Sequence, residues 1–122
     1  MKYILLVHVS QDAFEPSKQR NLAAAGRAYA EALAAAGVFI AGAGLQSPEK
    51  AATVSVRDGK RQVQDGPYAE TKEFLGGFVI IDVPNLDTAL EWAARHPSAA
   101  ERPIEVRPLA GSSFDWAPAS SA

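Results

Sequence analysis

Two short runs of the sequence are apolar at every position, and they constrain the fold more than any other feature. They are Ile4-Leu5-Leu6-Val7 and Phe78-Val79-Ile80-Ile81. A strand with one wet face alternates between apolar and polar residues, because successive side chains point to opposite faces. These runs instead place large apolar side chains on both faces, so we expect both faces of their sheet to be covered.

Apolar periodicity and turn residues predict further elements around these two strands. Strands are predicted at residues 3–9, 38–41, 53–56, 61–64, 75–83 and 104–109. The pair Asp58-Gly59 between two of them indicates a tight hairpin turn. Gly76-Gly77 inside the strongest strand predicts a bulge or a close backbone approach.

Two helices complete the predicted order. The first has Ser17 as its expected N-cap, apolar residues such as Leu22 and Leu33 at helical spacing, and Gly37 as its stop. The second follows a cap at Asn85. The order is strand, helix, strand, hairpin, strand, helix, strand, which predicts an α+β fold of the ferredoxin-like βαββαβ kind with an extra hairpin strand. Right-handed crossovers then place both helices on one face of the sheet.

The sheet face opposite the helices predicts a homodimer. About four large apolar side chains would lie there, and leaving them in water forgoes about 6–12 kcal/mol, as much as the stability of a small domain. A second copy of the chain is the simplest cover, since twofold dimers are the commonest oligomers. The alternative is that the C-terminal tail folds back through Phe114 and Trp116, although a short tail rich in Ser and Ala covers little.

Length and composition predict one domain with a tail. A chain of 122 residues buries roughly two thirds of the surface that its unfolded form exposes. The domain is expected to span residues 1–109, because residues 110–122 are rich in Gly, Ser, Pro and Ala.

Charge and cysteine content exclude several functions. The net charge of −2 gives no attraction for phosphate backbones or anionic lipid, so neither nucleic acid nor membrane is an expected partner. The absence of cysteine excludes disulfides, thiolate metal sites and a cysteine nucleophile. The first eight residues are too short and too soon polar for a signal peptide or membrane span, which predicts a cytoplasmic protein.

One polar segment carries a resemblance to a known family. Asp65-Gly66-Pro67-Tyr68-Ala69-Glu70-Thr71-Lys72-Glu73, followed by Leu75-Gly76-Gly77-Phe78, resembles the signature of the YCII-related family, in the branch named for a DGPF motif. Tyr68 stands where that branch usually has Phe. The resemblance extends over about residues 1–109, including 82–84, 89–94 and 104–108. It implies a ferredoxin-like domain that dimerises into an α+β barrel.

The resemblance implies less about activity, because most similar members have none established. Some YCII-like relatives are dehalogenases or lactone-processing enzymes that work without a cofactor. In these a His on the first helix and an Asp at the end of the second are proposed to act together. Here Ala25 or a neighbour stands in place of the His, and His96 stands where that branch has Asp. The pair therefore does not carry over.

The signature segment also holds the first group of candidate site residues. Asp65 has two interpretations, a turn residue that bonds its own backbone and a general base at the mouth of a cleft. Glu70, Lys72 and Glu73 form either a solvated ion-pair network or part of a site, because a long polar loop between rigid strands is a common place for one.

Two histidines and two aromatic residues form the second group. His96 follows a helix, where its charged form would be favoured, and His8 ends the first strand; each is either structural or an acid–base group. Their separation gives no metal-ligand spacing, and neither a metal nor a cofactor is expected. Tyr68 and Phe74 either wall a pocket for a small ligand or anchor the loop to the core.

Two hypotheses of function follow from these residues. The first is a cofactor-independent enzyme that acts on a small organic molecule, by isomerisation or elimination, with Asp65 or Glu70 as base and His96 or His8 as its partner. In this hypothesis Tyr68, Lys72 and Glu73 contact the substrate. The second is a non-catalytic module that binds a small ligand or a protein, in a regulatory or stress pathway, because the motif positions give no complete catalytic set.

Overall fold

The computed structural model describes residues 1–68 and 73–111 of the chain. The described residues form six strands and two α-helices: β1 (Lys2–Val9), α1 (Pro16–Ala35), β2 (Phe39–Gly44), β3 (Ala52–Arg57), β4 (Lys60–Asp65), β5 (Phe74–Asp82), α2 (Leu86–Ala94) and β6 (Ile104–Pro108). Short 3₁₀ helices lie at Gln11–Phe14 and Pro48–Lys50. Each predicted strand and helix is present, with shifted ends.

Four strands form the main sheet, in the order β2-β5-β1-β6, and every neighbouring pair is antiparallel. This is the ferredoxin-like strand order, so the predicted α+β fold is confirmed. Strands β3 and β4 form a separate two-stranded sheet. The turn between them has Asp58 and Gly59 at φ values of 52° and 75°, as a tight hairpin turn requires.

Side chains of β1 alternate between the core and the opposite face of the sheet. Tyr3, Leu5 and Val7 are buried, while the residues between them are only partly covered. Leu5, Leu33 of α1 and Ile81 of β5 are fully buried at the centre of the core. The core therefore lies between the sheet and the two helices.

The face of the sheet away from the helices carries the other apolar side chains of the two central strands. Ile4 lies opposite Ile80, and Leu6 lies opposite Phe78. All four are partly exposed in the single chain. Phe114 and Trp116, the alternative cover for this face, lie outside the described residues.

The helix ends follow local chemistry, with one correction. Asn85 caps α2 as predicted, and its Oδ1 accepts a hydrogen bond from the backbone N–H of Thr88 at 2.9 Å. The prediction that Ser17 caps α1 is wrong, because the helix begins at Pro16 with Glu15 as the N-cap and no side-chain cap. Proline favours the first helical position, since it has no N–H to satisfy and its φ is already helical.

Candidate functional site

A cleft of about 490 Å³ lies between α1 and the sheet, and we call it the α1 cleft. Its walls come from one face of α1, from strand β2, from the adjoining parts of β1 and β5, and from the segment that follows α2. The α1 residues on the wall are Gln19, Leu22, Ala23, Gly26, Arg27, Tyr29 and Ala30. Ligand pockets for small molecules have volumes of about 300–1,000 Å³, so the cleft is large enough for one.

Small residues keep the helix wall open. The α1 residues of the cleft recur three and four positions apart, so they share one face of the helix. Within this face Ala23, Gly26 and Ala30 have little or no side chain. A Cβ built at Gly26 would meet no atom within 4 Å. The space above the sheet is therefore left unfilled by the helix.

Glycines bring β5 close to its neighbours on the opposite wall. The pairing of β1 with β5 shifts between Val7 and His8, which leaves Gly76 as the extra residue of a bulge. A Cβ at Gly77 would lie 2.9 Å from the carbonyl oxygen of Ala43 on β2. Both predicted roles of Gly76-Gly77, bulge and close approach, are confirmed.

His96 lies on the cleft wall, and its surroundings fix the position of its ring. Its ring meets that of Tyr29 edge to face, with the centroids 4.8 Å apart. Its Nδ1 accepts a hydrogen bond of 3.0 Å from the backbone N–H of Ser98. A backbone N–H can only donate, so Nδ1 carries the lone pair and the proton of the neutral ring is on Nε2. His96 therefore offers an N–H donor.

Burial shifts the pKa of both rings toward their uncharged forms. It lowers the pKa of His96 below its usual 6.5, because the cationic form loses solvation. It raises the pKa of Tyr29 to about 12, against a smaller opposing effect of Arg95. The Tyr29 hydroxyl donates to the carbonyl oxygen of Trp92, which ties α1 to α2. Both rings are thus neutral near pH 7.

Arg27 is the cation of the cleft wall. Among the described residues, no acidic side chain lies within ion-pair distance of its guanidinium group. Among the described lining residues no Asp or Glu is present either. The wall thus combines apolar surface with one cation and with polar side chains such as Gln19, Gln46 and His96, and it lacks a described carboxylate.

A second hollow, of about 640 Å³, brings together three of the predicted site residues. We call it the loop hollow; it is lined by His8, Tyr68 and Glu73, together with Lys50 and Leu75 among others. His8 belongs to the same set of β1 side chains as Ile4 and Leu6, which points away from the helices. His8 and His96 therefore line different clefts.

The aromatic pair Tyr68 and Phe74, considered as anchors of the loop, differ in burial. Tyr68 is 94% exposed, so it does not fasten the loop to the core of this chain, whereas Phe74 is half-buried in β5. Glu73 accepts a hydrogen bond of 3.4 Å from Arg102. This contact joins the end of the loop to the segment before β6.

Asp65 ends β4 opposite Ala52, is exposed, and lines neither cleft. The next residue, Gly66, has a φ of 97° that favours glycine. Its N–H donates to the Ala51 carbonyl and its carbonyl accepts from the Thr53 hydroxyl, both at 2.8 Å. The start of the signature is thus fixed to β3. Glu70 and Lys72 lie outside the described residues.

Neither the α1 cleft nor its residues Gly26 and Arg27 were predicted as a site from the sequence. A signal was present: positions 23, 26 and 30 hold Ala or Gly on a helix face where a packed core would favour larger side chains. The spacing of small residues along α1 did not by itself indicate a cleft under that face of the helix.

Two other kinds of feature are absent from residues 1–68 and 73–111. Neither helix in this part of the chain is long and apolar enough to cross a membrane. No group of three or more His, Asp or Glu side chains is arranged there to hold a metal ion.

Comparisons with known proteins agree with the architecture. A protein of Rhizobium meliloti (strain 1021), described as uncharacterised, is 43% identical over 95 residues, which cover 75% of this chain and 72% of that protein. A solved structure of 5-chloro-2-hydroxyhydroquinone dehydrochlorinase from Burkholderia phenoliruptrix AC1100, in complex with 2,5-dihydroxybenzoquinone, matches with a TM-score of 0.54 at 15% identity. That match covers 93% of this chain and 98% of the other. The model of the YCII-related domain matches residues 1–112, and this chain belongs to the YCII-related family.

Proposed function

We propose that the α1 cleft binds a small planar organic molecule, and that the protein is a cofactor-independent enzyme acting on it by proton-transfer chemistry. The observation that carries this proposal is the position of His96, a neutral ring with a fixed tautomer on the wall of an apolar cleft. Partly buried acid–base groups in a largely apolar pocket are typical of active sites.

In this proposal His96 stabilises negative charge rather than removing a proton. Its Nδ1 lone pair already accepts a hydrogen bond from the Ser98 N–H, so Nδ1 is not available to take a proton from a ligand. The Nε2–H can therefore act only as a hydrogen-bond donor. A ligand carbonyl next to an acidic C–H would accept a hydrogen bond from the imidazole N–H. As a water molecule takes the proton from that carbon, the carbonyl oxygen becomes an enolate oxygen, and the N–H stabilises the negative charge that develops there. The enolate then expels a leaving group as an anion, or is protonated again at another carbon. The reaction class is elimination or isomerisation.

The structural relative supports the choice of ligand class. Its fold is similar to that of this chain, and it is a dehydrochlorinase held in complex with 2,5-dihydroxybenzoquinone, a planar ring with oxygen substituents. At 15% identity this likeness concerns the fold, so the residues of this chain have to carry the chemistry. An apolar cleft of about 490 Å³ with His96 and Arg27 on its wall suits such rings.

The test is a search for binding and turnover with defined compounds. Purified protein is titrated with 2,5-dihydroxybenzoquinone and then assayed with chlorinated and non-chlorinated hydroquinones, by halide release and ultraviolet absorption. His96→Gln is expected to lower kcat by about 100-fold, the effect of removing one oxyanion donor. Arg20→Gln, on exposed helix surface, is the control. Unchanged kcat in His96→Gln would remove His96 from the chemistry.

The same assay tests the loop hypothesis. His8, Tyr68 and Glu73 share the loop hollow, which is compatible with a role in ligand binding. That role stays a prediction. The roles of Asp65, Glu70 and Lys72 stay predictions as well. A loss of turnover in Asp65→Asn comparable with that in His96→Gln would place the chemistry at the loop. Loss in His96→Gln alone supports the α1 cleft.

A second candidate is a non-catalytic module that binds a small ligand. The observation in its favour is that no Asp or Glu lines the α1 cleft among the described residues, so no carboxylate there is available as a general base. This candidate predicts that a bound ligand is recovered unchanged after prolonged incubation. Conversion of the ligand would exclude it.

We also propose that the chain is a homodimer through the sheet face that holds Ile4, Leu6, Phe78 and Ile80. These side chains are partly exposed, and covering them would recover part of their hydrophobic stabilisation. Ile80→Lys is expected to convert a dimer into a monomer in light scattering, whereas Ala34→Lys, on an exposed part of α1, should not. A wild-type monomer at all concentrations would contradict the proposal.

The location of the protein and the limits of its domain stay predictions of the sequence. Fractionation of cells tests the cytoplasmic location. Deletion of residues 110–122 tests whether residues 1–109 fold alone, and an unchanged midpoint of unfolding would support that boundary.

A further inference from the structure

One charged side chain among the described lining residues, that of Arg27, bears on which ligands the α1 cleft prefers. The proposed function leaves this question open. Arg27 follows Gly26 directly and lines the same cleft. Its guanidinium group has no acidic side chain within ion-pair distance among the described residues. Among the described residues no carboxylate neutralises Arg27 on this wall, whose other polar side chains include Gln19, Gln46, His96 and Ser98.

The donors on the wall differ in the N–H groups that they still have available for a ligand. Gln19 already donates through its side-chain amide to the carbonyl oxygen of Ala13, at 2.6 Å. The free N–H of His96 can hold one oxygen atom of a ligand. The guanidinium of Arg27 has five N–H groups in a planar fork, which match the two oxygens of a carboxylate. His96 therefore offers a ligand a single-point donor, and Arg27 offers it a forked cation.

The cleft surface between these donors is apolar. Val7, Val9, Phe39 and Val79 line it on the side of the sheet, and Gly26 leaves room on the side of the helix. A flat ring can pack against apolar surface of this kind. An aliphatic cation would instead meet Arg27 with charge of the same sign and without a described carboxylate to compensate it.

We infer that the α1 cleft selects small planar organic acids, with Arg27 as the residue that holds their anionic group and determines this specificity. The inference rests on the proposed function, because it assumes that the α1 cleft is the ligand site. Within that site it names the substrate class: an aromatic or quinoid ring bearing a carboxylate or an acidic hydroxyl.

The experiment uses two probes of nearly equal shape, benzoate and benzamide, titrated into the full chain and followed by the backbone amide signals of Gly26 and Gly42. The wild type is expected to bind benzoate about three- to tenfold more tightly than benzamide, as a partly exposed charge-assisted contact would give. In Arg27→Gln the two affinities should become equal, while Arg27→Lys should keep part of the preference. Arg20→Gln makes the same change of charge elsewhere on α1 and should keep all of it.

Two outcomes overturn the inference by itself: equal binding of both probes by the wild type, or a preference that survives in Arg27→Gln. The variant Gly26→Leu separates this failure from that of the proposed function, because its side chain would fill the cleft. If Gly26→Leu leaves the binding of both probes unchanged, or neither probe binds the wild type, the α1 cleft is not the site and both proposals fail.

Discussion

The ring of Tyr29 lies edge to face against that of His96, with 4.8 Å between centroids and 66° between planes, although the two residues are 67 positions apart in the chain. This contact joins α1 to the segment after α2. It also covers His96 on one side and leaves it on the cleft wall on the other. The state of the imidazole is therefore set by the packing of two distant segments.

The first prediction concerns the protonation of His96. Burial lowers its pKa below 6.5, so NMR titration of the ring should place its midpoint below that value, and the neutral ring should be protonated at Nε2. A depressed pKa in the folded protein means that the unfolded chain takes up the proton first as pH falls. The contribution of His96 to stability is thus complete above pH 6.5 and lost on acidification below it.

The measurement for this effect is urea unfolding at pH 7.5 and pH 5.0. The wild type should lose more stability between these two conditions than His96→Gln does. A midpoint for His96 above 6.5, or equal losses in both proteins, would show that the ring is not desolvated as described.

The second prediction concerns Tyr29 at high pH. Burial raises the pKa of its hydroxyl to about 12, whereas the unfolded chain ionises it near the usual 10.0. The contribution of the hydroxyl to stability is therefore complete below pH 10 and is lost as pH rises toward 12. Tyr29→Phe should be less stable than the wild type at pH 8 by about 0.5–1.5 kcal/mol, the usual net value of a hydrogen bond, and this difference should shrink at pH 11. Urea titrations at both values measure it; a constant difference contradicts it.

The third prediction concerns the stability that α1 loses by having glycine at position 26 in the wall of the α1 cleft. Gly26 lies inside α1, where glycine is less favourable than alanine by roughly 0.5–1 kcal/mol. Because a Cβ there meets no atom within 4 Å, Gly26→Ala should raise the free energy of unfolding by about this amount. The reverse change on the exposed side of the helix, Ala24→Gly, should lower it by a similar amount. A destabilised Gly26→Ala protein would mean that the wall is more crowded than described.

The fourth prediction concerns the close approach of β5 and β2. A Cβ at Gly77 would lie 2.9 Å from a backbone oxygen of Ala43, and backbone moves less readily than a side chain. Gly77→Ala should therefore lose about 1–3 kcal/mol, as overpacked sites do. Gly44→Ala, on the adjacent strand with no atom within 4 Å, is the control and should change stability by less than about 0.5 kcal/mol. Equal effects in the two variants would contradict the geometry.

The fold could be predicted from the sequence because its signals are local. Asp58-Gly59 specifies a turn, Asn85 specifies a helix start, and the apolar runs at 4–7 and 78–81 specify central strands. Ser17 was the wrong cap because two neighbouring signals compete there, and Pro16 fixes the first helical position before a hydroxyl at Ser17 can act as the cap.

The candidate site could be predicted only in part, because a cleft depends on which residues of distant segments face each other. The sequence places His8, Tyr68 and Glu73 in segments that meet in the loop hollow, and it also groups His96 with them. His96 instead meets Tyr29, since the order of strands in the sheet and the crossover of α2 decide which side it reaches. No pattern within α1 could reveal that partner.

The hydroxyl of Tyr29 on α1 donates to the carbonyl oxygen of Trp92 on α2, and the ring of the same residue packs on His96. A rearrangement of α1 that widened the α1 cleft would therefore also disturb the contacts that position His96.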